Sequence, residues 1–359
     1  MKTIGSVILS LLCVSAYASS DSSSRSVNLS GYIETYYRYD FGKPRFTNLS
    51  GIVNHDKNNE IAINLALIKA SYQSKNIRGN IGLMFGTYAE ANFNSTNYLY
   101  KYIYESYAGI KLSKSKNIWF DIGIFPSHIG AESVIGKDNW TLSRSLQAEA
   151  SPYYEAGAKI SYTSKNEKLF ASILVLNGWQ QISKRFDYPM CLGTQITYKP
   201  NSKLLLNSSS FIGNNNLPSP STKQRYFHNF YTQFQWNTHL STFIGFDIGS
   251  QQSRFKDNYY ELWYSPILLV KYQANTRHSL TFRAEYFRDK FQHVFSTNTG
   301  TGYIGNGFSL NYDYNINKNS LFRIEGKVLN AESRILLNSD GYSRQKNLIT
   351  STLIFHFAD

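Results

Sequence analysis

Apolar and polar residues alternate with period two through most of this chain, and polar turns break the alternation at regular intervals. Before a long connection, Ile118, Phe120, Ile122 and Ile124 oppose Trp119, Asp121, Gly123 and Phe125; after it, Tyr154, Ala156, Ala158 and Ile160 oppose Tyr153, Glu155, Gly157 and Lys159. Near the start, Ile33, Thr35, Tyr37, Tyr39 and Phe41 oppose Glu34, Tyr36, Arg38 and Asp40. The next segment sets Ile61, Ile63, Leu65 and Leu67 against Glu60, Ala62, Asn64 and Ala66. Such alternation predicts strands with one apolar and one polar face. About sixteen segments of this kind follow one another. Short turns near 74–76, 113–116, 164–168, 200–202, 237–239, 275–277 and 317–319 alternate with long connections near 42–57, 91–101, 126–151, 178–187, 213–224, 251–258, 289–301 and 330–344. This segregation predicts an all-β, transmembrane, antiparallel up-and-down barrel, with periplasmic turns, external loops and both termini periplasmic. A soluble Greek-key sandwich has no reason to sort its loops by length.

The connection at 126–151 is too long for a hairpin turn and too apolar for a linker. A structureless stretch of that length in a compact domain usually has a task, and the expectation is a third external loop folded into the lumen. Within it, Asp138 or Asn139 is placed to cap a short helix through Leu142, Leu146 and Ala148.

The chain ends assign compartment. Residues 1–18 read as an export signal, with Lys2, an apolar core from Ile4 to Ser15, and Ala16-Tyr17-Ala18 as the cleavage site. Residues 19–27 read as a serine-rich leader, and 28–359 as a single barrel domain. With Cys13 in the signal, Cys191 has no intrachain disulfide partner. The formal charge of +13 is dispersed over turns and rims, which together with the export signal argues against nucleic acid.

A charge on the lipid face of a barrel costs about 2–4 kcal/mol at mid-depth, so charges within strands are expected to point inward. Arg38, Arg78, Glu105, Lys159, Arg283, Glu285, Arg323 and Glu325 form the expected lumen wall, with Arg283/Glu285 and Arg323/Glu325/Lys327 spaced for cross-wall ladders. Glu132, Lys137, Asp138, Arg144 and Glu149 are the expected pore constriction. Catalytic, cofactor and metal motifs are weak. Gly300-x-Gly302-x-x-Gly305 opens a strand rather than a helix, and Asp56 to Glu60 reads as a solvated loop more readily than a calcium site.

Tyr36-Tyr-Arg-Tyr-Asp40, Asn59 to Ala70, Gly123-Ile-Phe-Pro-Ser-His-Ile-Gly130, Ile135 to Arg144 and Ser151-Pro-Tyr-Tyr-Glu155 resemble the OmpL-like β-barrel porins. The resemblance implies a Gram-negative outer-membrane barrel with a porin role. On this reading small polar solutes diffuse passively through the lumen. The partners are outer-membrane lipid, the barrel-assembly machinery engaged through the aromatic C-terminal strand, and further copies in a homotrimer. No cofactor is expected. Competing readings are an outer-membrane lipid hydrolase, with His228 on the apolar face of its strand, and a plugged structural or adhesive barrel.

Overall fold

The computed structural model describes residues 26–44, 52–92, 99–184, 188–214, 223–253, 255–256 and 258–357. The export signal lies outside them, and the stretch read as leader is described only at Ser26 and Val27, which open the first strand. In chain order the strands are β1 (Ser26–Asp40), β2 (Ile61–Gln73), β3 (Ile77–Phe85), β4 (Ile103–Lys111), β5 (Asn117–Pro126), β6 (Tyr154–Thr163), β7 (Leu169–Leu176), β8 (Cys191–Asn201), β9 (Leu204–Asn214), β10 (Gln224–Gln235), β11 (Leu240–Gln252), β12 (Tyr260–Gln273), β13 (His278–Asp289), β14 (Tyr303–Asn317), β15 (Ser320–Ala331), β16 (Leu336–Asn338), β17 (Gly341–Ser343) and β18 (Gln345–Phe357). Two helices, α1 (Thr87–Asn92) and α2 (Leu146–Glu149), lie in external connections.

Sixteen strands close one antiparallel barrel, each paired with its sequence neighbour, and β1 meets β18 to seal it. Among the described residues, β16 and β17 alone stand apart, as a small hairpin inside the last external loop. Closure is obligatory in lipid, because an open edge would leave backbone donors and acceptors unpaired. The sixteen strands run from eight to fifteen residues, against the roughly 9–11 tilted residues that cross the hydrocarbon layer. Turns at one end have two to five residues, whereas connections at the other have seven to twenty-seven. Asparagine shapes several of the short turns by accepting from backbone amides two or three residues on. Asn201 takes Lys203 and Leu204, Asn237 takes His239 and Leu240, and Asn275 takes Arg277 and His278.

The two faces of the wall differ as the alternation requires. Ile81, Leu83, Ile122, Ile173, Ile244, Leu262, Leu310 and Leu353 are exposed outward, where a bilayer rather than water covers them. Glu34, Asp121, Arg283, Arg323 and Glu325 point inward and are buried.

The pattern misleads on β2. Ile61 and Ile63 face outward, but Leu65 and Leu67 are buried inside the barrel with Asn64. The ladder to β1 skips at this point: Glu34 pairs with Leu65 and Thr35 with Ile63. A bulge therefore inserts Asn64 and reverses the facing of every residue beyond it. Asn64 is held there by polar bonds, donating to Glu34 and accepting from the His55 amide.

Candidate functional site

The connection between β5 and β6, residues 127–153, runs through the inside of the barrel. Leu142, Leu146, Arg144 and Ser145 in it are almost wholly inaccessible. Its helix is shorter than expected, a single turn, and the cap is Ser145 rather than Asp138 or Asn139: Ser145 Oγ accepts from Ala148 N at 3.0 Å. The stretch from 139 to 144 stays out of the helix because its backbone is engaged by the barrel wall. Arg323 donates to the carbonyls of Gly136 (2.7 Å), Asn139 (2.9 Å) and Thr141 (3.2 Å). Arg283 donates to Ser143 O and Thr141 Oγ1. Glu325 accepts from both the amide and the hydroxyl of Ser143, Asn311 accepts from Leu142 N, and Glu285 accepts from Leu146 N. Across the lumen, Tyr32 OH accepts from Gly136 N, and Ser209 donates to His128 O.

The ladders anticipated on β13 and β15 form. Arg283 Nη2 lies 2.9 Å from Glu325, and Lys327 Nζ 3.0 Å from Glu285. Both span the intervening β14, which is open at this level: a Cβ on Gly307 would come within 2.7 Å of Glu285 Oε1. Arg323 pairs with Asp313 at 2.7 and 2.9 Å. Lower on the wall, Arg78 holds Asp121 through two nitrogens at 2.7 and 2.6 Å, Lys159 stands 3.8 Å from the same carboxylate, and Lys69 meets Glu105 at 2.9 Å. Two-point Arg–carboxylate pairing of this kind fixes both partners.

The five loop residues expected at the constriction take different places. Arg144 turns back on its own loop and donates to the carbonyls of Ser133, Val134 and Leu142 at 2.7–2.8 Å. Glu132 accepts from Ser145 N. Lys137 and Asp138 pair at 3.3 Å, with Asp138 exposed. Glu149 reaches the first external loop, accepting from Val53 N (2.9 Å), Asn54 N (3.3 Å) and Asn54 Nδ2 (3.0 Å). Burial pushes its carboxyl up to about 7. His128 is neutral, since burial pushes its imidazole down to about 4 while Nε2 donates to Ser210 O.

The first external loop is the main surprise. Instead of lying solvated, residues 53–56 are buried inside the barrel. His55 Nε2 lies 3.1 Å from Glu34, and Arg38 donates to His55 O at 2.7 Å. Asp56, weighed above as a calcium ligand, is buried beside Tyr36 OH and pairs with Lys57 at 3.5 Å. Lys346, at the start of β18, is a further inward charge beyond the expected lumen wall; it pairs with Asp40 at 2.8 Å. Its signal was present, since Lys346, Leu348, Thr350 and Thr352 continue one face of the last strand.

Loops one and three, with β15, β18 and β1, line a small cavity in which the centres of water-sized molecules have about 50 Å³ to occupy. Beside this cavity, from β7 round to β15, a buried aromatic and aliphatic cluster covers the external part of the inner wall and shares Leu146 and Leu329 with the cavity lining. Phe211, Phe227, Trp263, Phe287, Phe295 and Tyr303 pack there with Leu176 and Cys191. Arg225 lies between Trp179 (4.8 Å) and Trp263 (5.0 Å) and donates to Gln251.

On the outer face, His228 Nδ1 lies 2.9 Å from Ser210 Oγ, and its Nε2 lies 3.5 Å from Ser208 Oγ. The pair comes from adjacent strands and faces lipid. Among the described residues the ring's hydrogen-bond partners are these two hydroxyls.

Comparison with known proteins agrees with this geometry. Among solved structures, the anion-selective porin from Comamonas acidovorans superposes with a TM-score of 0.62 at 9% identity, covering 93% of this chain and 100% of that one. The outer membrane channel DcaP of Acinetobacter baumannii gives 0.55 at 11% identity, covering 94% and 99%. OmpT of Vibrio cholerae in its trimer form gives 0.56 at 10% identity, covering 93% and 99%. At these identities the likeness shows the fold alone. No curated relative matches the sequence. The family model described as "Putative beta-barrel porin-2, OmpL-like" matches residues 26–357, the whole barrel. The chain thus belongs to the OmpL-like β-barrel porin family and is an outer-membrane protein.

Proposed function

We propose that this barrel is a passive, non-enzymatic diffusion channel for small polar solutes, and that its path runs along the β15–β18–β1 side of the lumen. The observation that carries the reading is the sorting of faces: apolar residues outside, charged residues inside, on a sixteen-stranded closed wall. Barrels of that strand number have room for an aqueous channel. The third loop narrows it. Glu149 and Arg144 act by fixing the loop's shape, and Glu132, Lys137 and Asp138 line its periplasmic side. Assembly follows export by the 1–18 signal and engagement of the C-terminal strand, whose Phe355 and Phe357 face outward. A homotrimer is the proposed assembly, in line with the trimer form named for the Vibrio cholerae neighbour.

Purified protein in planar bilayers is expected to give stepwise conductance in potassium chloride. A bilayer that stays silent, together with liposomes that do not swell in small sugars, would overturn the channel reading.

A further inference from the structure

The cavity between the first and third loops is lined unevenly, and the unevenness has chemical content. Arg38, Lys327 and Lys346 reach it from three neighbouring wall strands, and Arg144 from the third loop. Two of these cations have carboxylate partners, but the partners sit behind them. Lys327 keeps 8% of its side chain accessible, whereas its partner Glu285 keeps none; Lys346 keeps 6% and Asp40 none. Two carboxylates reach the lining. Glu325 is engaged by Arg283 and by Ser143, and Glu149 by the amides of residues 53 and 54. Glu285 and Asp40 are thus shut off from the cavity, and its lining carries Arg38, Arg144, Lys327 and Lys346 against Glu149 and Glu325.

A second observation is independent of that count. Arg38 is more than nine-tenths buried, spends Nη1 on His55 O, and has no partner for Nε. A buried guanidinium N–H without an acceptor is costly, and Arg38 is one of the residues that line this cavity. The third feature is apolar: Ile52, Leu146, Leu329 and Leu348 share the lining with the cations. Ligand sites generally combine such walls with a few placed polar groups.

We propose that this cavity is a binding subsite for a small organic anion, with its carboxylate at Arg38, Lys327 and Lys346 and its short hydrocarbon body against the four aliphatic side chains. The inference rests on the channel reading and adds to it the class of solute. Charge-assisted bonds from Lys and Arg hold the carboxylate. Apolar contact makes a compact acid with a carbon tail bind better than chloride. Several weak contacts along the path, rather than one deep site, let the solute leave as well as enter.

The test uses the full barrel in detergent and needs no conductance. Titration with sodium pentanoate, pentanol and pentylammonium is followed calorimetrically, with empty micelles as background. Pentanoate is expected to bind saturably and at least tenfold more tightly than either analogue. The paired substitution Asp40→Asn with Lys346→Gln removes one cation without stranding a buried carboxylate, and should weaken pentanoate binding about tenfold. Heat-modifiable electrophoretic mobility verifies that the variant barrel has closed. No saturable pentanoate binding, or equal binding of pentanol or pentylammonium, would overturn the subsite whatever the variant does. Conductance steps without pentanoate binding would leave the channel reading standing and remove only the subsite.

Discussion

Two stretches of the lumen wall are built from the same alternating strands and end up with different inward faces. From β7 to β14 the inward positions near the external end carry Leu176, Phe211, Phe227, Trp263 and Phe287, and they cluster with Trp179 and Phe295 from the loops. Along β15, β18 and β1 the inward positions carry Lys327, Lys346, Arg38 and Glu325, and they meet polar backbone from loops one and three. Facing inward therefore does not decide whether a side chain is wet. What decides it is the partner that the external loops bring: an aromatic residue excludes water, a carbonyl or an amide keeps the site polar. One stretch is a packed core that stiffens the barrel, and beside the other the first and third loops leave a small cavity.

The contrast breaks most sharply at Arg323. Replacing Arg323 with Ala removes three bonds to the third loop and leaves Asp313 buried without its cation. Breaking a buried pair from one side costs about 3–5 kcal/mol. The expected outcome is a lower thermal midpoint together with larger and noisier single-channel steps, because the loop loses its anchor on the wall. An unchanged step size would show that the loop does not set the constriction. On the dry side, Leu176→Ala opens a cavity in a packed, inaccessible position and should cost about 3 kcal/mol. Here the midpoint should fall while conductance stays at the wild-type value, and a conductance rise of the Arg323→Ala kind would contradict the division of the lumen.

How much of this was legible in the residues follows from the same physics. Strand number, closure and the facing of most charges are written in period-two alternation, since lipid punishes a misplaced charge at every strand. The ladder at Arg283, Glu285, Glu325 and Lys327 was readable for the same reason. The bulge in β2 was not, because Ile61, Ile63, Leu65 and Leu67 read as one apolar face. The phase slips on Asn64, whose reason to turn inward is Glu34 on another strand and His55 in a loop. The first loop's descent was likewise hidden: Asn54, His55 and Asp56 are residues that water would accept equally well. Nor can type alone separate an inward Phe211 from a lipid-facing Phe282. Local pattern reports which face a residue takes; it does not report what a loop far away in sequence lays upon it.

Glu149 offers a gentler perturbation, by proton rather than by deletion. Its carboxyl is pushed up to about 7 by burial, so the folded barrel holds the proton more tightly than the unfolded chain does. The resulting stabilisation is complete below the ordinary glutamate range near pH 4.5 and is lost as pH rises through about 7. Between pH 5 and 8 the thermal midpoint of the wild type should therefore fall relative to that of Glu149→Gln, which keeps a neutral side chain at all pH. Parallel pH profiles for the two proteins would show that this clasp between the first and third loops does not titrate.

The smallest effect is expected on the outside of the barrel, where Ser210 and His228 stand 2.9 Å apart. A serine–histidine pair invites comparison with a hydrolase, but nucleophilic serine needs more than a nearby base. The base has to be oriented by a third group, and donors have to wait for the developing oxyanion. Among the described residues, the second ring nitrogen of His228 meets the Ser208 hydroxyl alone, at 3.5 Å. The backbone amides around Ser210 are engaged in the ladders to β8 and β10. In lipid, each member of the pair gains mainly by giving the other a hydrogen-bond partner. Ser210→Ala should therefore shift the thermal midpoint by a degree or so and leave conductance unchanged. A fluorophosphonate probe should label wild type and variant equally, at background. Selective labelling of Ser210, abolished by His228→Asn, would show that the lipid-facing wall carries a catalytic pair and that the barrel's inside is not its only working surface.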